Sequence, residues 1–222
     1  MLCVPVGECI VADMKRILAA AVLLATCTGP VQEPPLSPRE RNVRGDVLLK
    51  AGRFVEAIAD FDAYIAAEPR AEPHHWQRGI AYYYAGRFLD GVRQFEVHKG
   101  VNPNDVENAV WHFLCKAKLV GVAAARKALL PVGPDGRVPM MRVYDLFGGR
   151  ATPDQVQRDA EATSGQQAES AMFYCHLYLG LYHEALDNRK ASRHHMLLAA
   201  EKHTSPYYMG DIARMHAALP QR

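Results

Sequence analysis

The chain has 222 residues, 49% of them hydrophobic and 23% charged, with a net charge of +2. That length and apolar share suffice for a buried core in one domain or one short solenoid. The near-neutral balance, without Lys/Arg runs interleaved with aromatics, speaks against nucleic acid or an acidic membrane as partner. Of the five cysteines, Cys3, Cys9 and Cys27 precede the globular part, and the remaining Cys115 and Cys175 are too few for a disulfide scaffold.

Residues 1–27 read as a leader. Met14-Lys15-Arg16 followed by the apolar run Ile17–Ala25 has the anatomy of a secretory signal peptide with its start at Met14. The run is far short of the roughly 20 residues that a membrane-spanning helix needs. Leu24-Ala25-Thr26-Cys27 resembles a bacterial lipobox, with Thr26 where Gly, Ala or Ser is usual, and the resemblance implies lipidation of Cys27. Residues 28–37 hold three prolines and no helical period, so they form an extended tether.

Ser37-Pro38-Arg39-Glu40 offers an N-cap, Pro at N1 and an acid at N3, the start of the first helix. From there the chain repeats itself. Arg44–Pro69 and Arg78–Pro103 are two copies 34 residues apart, pairing Gly45 with Gly79, Ala51-Gly52-Arg53-Phe54 with Ala85-Gly86-Arg87-Phe88, Phe61 with Phe95 and Pro69 with Pro103. A fixed period of this length means stacked helical hairpins. Gly45 and Gly79 allow close approach of the two helices in each hairpin, Ala57 and Gly91 are the small residues facing them, and Leu48, Phe61, Tyr82 and Phe95 fill the seam. Gly52 and Gly86 take the left-handed conformation that ends a helix, and Pro69 and Pro103 stop the second one.

The placing of small, aromatic and Pro positions resembles the tetratricopeptide repeat (TPR), with clear copies over 38–71 and 72–105. Residues 106–165 are a degenerate continuation. Asn104 caps a helix over Asp105–Leu119, Val122–Leu130 is its short partner, Leu130–Pro139 is turn-rich, and two short helices follow near Met140–Leu146 and from Thr152 to Ala162. Gln166–Leu186 is the longest helical stretch. Gly180 sits eighth and Ala199 twenty-seventh in a repeat over 173–206, and Tyr207–Leu219 reads as a helix capping the open end. The expected fold is all-α: a TPR-like right-handed α-solenoid of four to five helical hairpins over 38–222, with a C-terminal capping helix.

The TPR resemblance implies an inner wall built from the first helix of each hairpin. Its places hold Arg39, Asn42, Asp46, Leu49 and Lys50, then Pro73, Trp76, Ile80, Tyr83 and Tyr84. Asn42, Asp46, Lys50, Trp76, Ile80, Tyr83 and Tyr84 are the candidate partner-binding residues, rigid aromatics anchoring a peptide and polar groups orienting it. Packing between repeats uses aromatics as well, and is the competing role for them. Asn42 and Asp46 do not match the clamp by which some TPR domains hold chaperone tails. His112 with Cys115, and His176 with His183, have spacings that put each pair of zinc-ligand types on one helix face, with Cys175 adjacent to the second. Buried Cys and hydrogen-bonded His are commoner in such stripes, so no metal or other cofactor is expected. His74-His75 and His194-His195 read as solvated faces. Glu107, Asn108 and His112 form a polar group that either joins a small buried network or lines a pocket. Without a nucleophile motif or phosphate loop beside the Glu107/His112 acid–base pair, no enzyme is expected.

In layout the chain is similar to NlpI-like bacterial TPR lipoproteins, which implies an exported adaptor, periplasmic or membrane-anchored through Cys27, that docks a protein or peptide partner. The alternatives are a homodimeric, self-associating module, an organellar location, and a metal- or small-ligand-binding enzyme built on residues 105–165.

Overall fold

The computed structural model describes residues 35–220. The expected leader with Cys27, and residues 28–34 of the tether, lie outside the described residues. Among those residues the chain is all-α, with eleven α-helices and no strand. No helix of this part is long and apolar enough to cross a membrane.

The first two hairpins are near-replicas. Helix α1 (Pro38–Lys50) opens on a full capping box: the Ser37 hydroxyl accepts from the Glu40 amide, and the Glu40 carboxylate accepts from the Ser37 amide at 2.8 Å. It turns into α2 (Phe54–Ala67). After a 3-10 turn over Pro69–His74, α3 (Trp76–Tyr84) and α4 (Phe88–Lys99) repeat the unit. Gly52 and Gly86 both sit at φ +76°. Around them Arg53 donates to the Leu48 carbonyl (2.9 Å) and Arg87 to that of Tyr82 (2.8 Å), so two Schellman turns close the two first helices.

The seam of each hairpin is set by one contact. A Cβ on Gly45 would lie 2.7 Å from the Phe61 ring, and one on Gly79 2.6 Å from that of Phe95. The same device returns late in the chain, where a Cβ on Gly180 would meet Met196 at 2.9 Å. Each glycine precedes its partner by the same 16 residues. One place before the first two glycines, Arg44 donates to Asp60 (2.6 and 2.7 Å) and Arg78 to Gln94 (2.9 Å), again across the hairpin.

Helix α5 (Val106–Val120) packs on α4 and leads through Gly121, at φ +81°, into the short α6 (Val122–Lys127). Its cap is Asp105, whose carboxylate accepts from the Glu107 amide at 3.0 Å, not the expected Asn104. Asn104 instead packs against Gly133 of the following connection. Helices α7 (Met140–Phe147) and α8 (Pro153–Glu161) form a tight pair joined at Gly149, and both reach α9 (Ala168–Ala185). Helix α10 (Arg189–Leu197) runs into a π-turn over Leu198–Lys202. Helix α11 (Tyr208–Ala218) covers α10 and that turn, as a cap would, and also reaches α1. One continuous core runs from Leu48 and Phe54 in the first hairpin to Ile212 and Met215 in α11.

Candidate binding groove

Helices α1 and α3 carry the residues expected to line an inner wall, and α11 packs beside them. Trp76 meets Tyr208 edge-on with ring centres 4.7 Å apart. The Lys50 ammonium sits 3.2 Å from the Asp211 carboxylate and 4.4 Å from the centre of the Tyr208 ring. Further along, the Tyr84 hydroxyl and the His216 Nδ1 are 2.8 Å apart. Three contacts along one face of α11 thus fix it against two successive first helices.

The candidate residues all lie on α1 and α3, but in different states. Ile80, Tyr83 and Tyr84 are buried, with 0%, 3% and 4% exposure, as is Leu49 beside them. Tyr83 and Tyr84 meet each other and Trp111 edge-on, so the wall is an aromatic stack shared by α3 and α5. Burial pushes the Tyr83 hydroxyl well above the usual phenol range. The Asn42 Oδ1 accepts a hydrogen bond from His75 Nε2 at 2.7 Å, while His75 Nδ1 accepts from the Arg78 amide. Lys50 also pairs with Asp46 at 2.8 Å. Burial alone would lower the Lys50 ammonium, yet hydrogen bonds to Asp46 and Asp211 outweigh it and hold it above the ordinary lysine value.

Several polar groups stand elsewhere than expected. His75 is no solvated residue: it is 6% exposed, packed against Phe61, and burial followed by the nearby Arg78 charge brings it down to about 4. His195 is likewise drawn inward. Its Nδ1 lies 3.0 Å from that of His176, and its ring stacks on both His176 and His183, while His203 stacks on His176. Burial, then the neighbouring histidines, lowers both His176 and His195 to about 4. Among the described residues no group of three His, Cys, Asp or Glu side chains is placed to hold a metal ion. Cys115 and Cys175 are free, fully buried thiols, and burial pushes both upward, Cys175 to about 12.

Glu107 and His112 do not converge. Five residues along α5 set them about 140° apart around the helix. His112 faces Glu96 of α4 at 3.5 Å. Glu107 instead accepts from the Tyr178 hydroxyl of α9 (2.6 Å) and pairs with Arg137, which also contacts Asp105 (3.2 Å) and Asp135 (2.6 Å). Burial raises the Glu107 carboxyl above its usual range despite the Arg137 charge.

With α11 seated, the groove keeps a pocket at each end of that helix. One, of about 250 Å³, lies between Tyr83, Tyr84 and Phe88 on one side and Glu184, Arg193 and Leu219 on the other. The second, of about 260 Å³, lies by Trp76, Glu107, Asn108, Trp111, Tyr207 and Tyr208. Sequence reasoning missed Tyr178, Tyr207, Tyr208, Asp211 and His216. Tyr178 reaches Glu107 across 71 residues, with no local trace. The aromatic pair at the start of α11, on a helix that a plain cap would not need to anchor so firmly, was the one available signal for the others. The chain matches no protein-family model.

Proposed function

We propose that the chain is a TPR-type adaptor whose concave groove receives an amphipathic helix from a protein partner, in the manner by which it now receives α11. The observation that carries this reading is the seating of α11: an 11-residue helix anchored by aromatic contact at one end, an ion pair in the middle and a hydrogen bond at the other. Helix-in-groove recognition uses such spaced anchors, and affinity concentrates in the buried aromatic ones. Support for the TPR geometry comes from the duplicated Schellman turns and the glycine–aromatic seams 34 residues apart. Export, and anchoring through Cys27, belong to the same proposal and rest on the apolar run after Met14-Lys15-Arg16.

On this reading α11 is a competitor of the partner helix. Asp211→Lys places a second cation beside Lys50 and loosens α11 without altering the wall. Capture from native extract is expected to retain a partner more strongly on the Asp211→Lys chain than on the natural one, and a synthetic α11 peptide is expected to displace it. Equal retention by both baits, undisturbed by the peptide, would place any binding surface outside the groove.

A self-associating module is the second reading. Val43 and Val47, one turn apart on α1, are 65% and 61% exposed and form an apolar strip on the first hairpin. Sedimentation across a hundredfold concentration range separates the two, since this reading requires a mass that rises with concentration and falls back with Val43→Glu/Val47→Lys.

A further inference from the structure

The pocket at the N-terminal end of α11 has a chemistry of its own. Its walls are the rings of Trp76, Trp111, Tyr207 and Tyr208, and its floor is Glu107 and Asn108. Two residues of its lining each carry a buried polar atom with no partner within the chain: the Asn108 Oδ1, on a residue 4% exposed, and the Trp111 Nε1, on one 2% exposed. The Asn108 amide nitrogen already donates to the Phe95 carbonyl at 3.0 Å, so the amide is held with its oxygen free to accept. A buried acceptor without a donor is costly, of order 1–3 kcal/mol, and such groups mark sites where something else supplies the bond.

The charge around the floor is unbalanced. Arg137 is shared by three carboxylates, those of Asp105, Glu107 and Asp135. Three carboxylates thus compete for one guanidinium, and two of them, Asp105 and Glu107, line the pocket. Glu107 uses one oxygen for Tyr178 and the other for Arg137, and a carboxylate offers about four acceptor positions, so it can take further donors. The rings have the matching preference, since an aromatic face attracts cations. Two of the surrounding rings already do so within the chain: Lys50 lies over Tyr208 and Arg137 over Tyr174. At about 260 Å³ the space is just below the ~300 Å³ where pockets for drug-sized molecules begin, which suits a compact ligand.

We propose that this pocket binds a compact organic cation, an alkylammonium group, with the aromatic walls around its methyl or methylene groups, Glu107 balancing its charge and Asn108 Oδ1 accepting any hydrogen it donates. Such a group comes either from a free small molecule or from a lysine side chain, and the two are separable. The site does not depend on the groove's taking a foreign helix, because α11 itself brings Tyr207 and Tyr208.

The chain has only two tryptophans, and both line this pocket, so its intrinsic fluorescence reads the site directly. The test titrates the full chain with choline, with its neutral isostere 3,3-dimethylbutan-1-ol and with Nα-acetyl-lysine methylamide. The expected result is a saturable change with choline or the lysine derivative, at least about tenfold weaker with the neutral isostere. Saturation by choline alone assigns the site to a small molecule, and saturation by the lysine derivative alone assigns it to a peptide side chain. Glu107→Gln is expected to remove the cation preference. Tyr207→Ala, at a residue 75% exposed whose loss leaves the core intact, is expected to weaken binding about fivefold. Equal binding of choline and its isostere, an absence of saturation by either cation up to tens of millimolar, or an unchanged affinity in Tyr207→Ala would each overturn the proposal.

Discussion

A single methyl group separates the seam of the first hairpins from a clash. At Gly79 an added Cβ would stand 2.6 Å from the Phe95 ring, which is itself 1% exposed and has nowhere to move. Gly79→Ala is therefore expected to destabilise the fold by about 1–3 kcal/mol in urea unfolding, the usual cost of overpacking. The opposite sign is expected at Asp187. It ends α9 at φ +57°, with Asn188 donating to the His183 carbonyl at 2.9 Å, the Schellman geometry in which Gly52 and Gly86 serve elsewhere. Left-handed backbone strains a side chain that glycine lacks, so Asp187→Gly is expected to stabilise by about 0.5–1 kcal/mol in the same assay. The glycine positions of the first two hairpins were legible in the sequence because steric exclusion acts on one residue at a time and leaves an identity behind. The Asp187 turn was not, because Asp tolerates that conformation without being diagnostic of it.

At the scale of the element, α9 and α10 are held together partly through stacked imidazoles. His176 and His195 have an ordinary value of 6.5 and are lowered to about 4 by burial and then by neighbouring histidines, as His75 at the start of α3 is by burial and Arg78. The unfolded chain therefore takes up protons first as pH falls. Stability is complete above pH 6.5, is lost progressively between about 6.5 and 4, and changes no further from these groups below that. Thermal melts are expected to show this fall, and His176→Phe/His195→Phe to reduce its slope, while His75, His112 and His183, also lowered by burial, keep the remainder. A slope unchanged by the double substitution would put the titrating groups elsewhere. Among the described residues, the carboxylate paired with the stack is that of Glu169, 3.5 Å from His203 and on its exposed side. In sequence His75 and His195 looked like members of solvated pairs, since neighbouring polar residues on a helix give no sign of which face a later element will cover.

Across the whole molecule the groove and α11 form one coupled system. If a partner helix takes the place of α11, it also removes Tyr207 and Tyr208 from the cation pocket. Binding of a partner and of choline are then expected to oppose each other, and by linkage each weakens the other by the same factor. Hydrogen exchange gives the complementary view. Amides of α11 are expected to lose protection in Asp211→Lys while those of α3 and α5 keep theirs, because the substitution removes an anchor of α11 and leaves the core packing of α3 and α5 untouched.

The all-α class, the first two hairpins and the late return of the repeat glycine could all be read from residue identities alone. They follow from local rules: a capping box, left-handed glycines, prolines that stop helices, and a small residue opposite a large one at constant spacing. Only the tertiary structure decided where α11 lies, which acceptor Glu107 would become, and that Trp76 and Trp111 share a pocket. These depend on residues from 30 to 161 positions apart meeting in space, Arg137 with Glu107 and Lys50 with Asp211 at the two extremes. Such meetings are chosen by packing of the whole core, and packing energy is spread over many weak contacts that leave no periodic mark on the sequence.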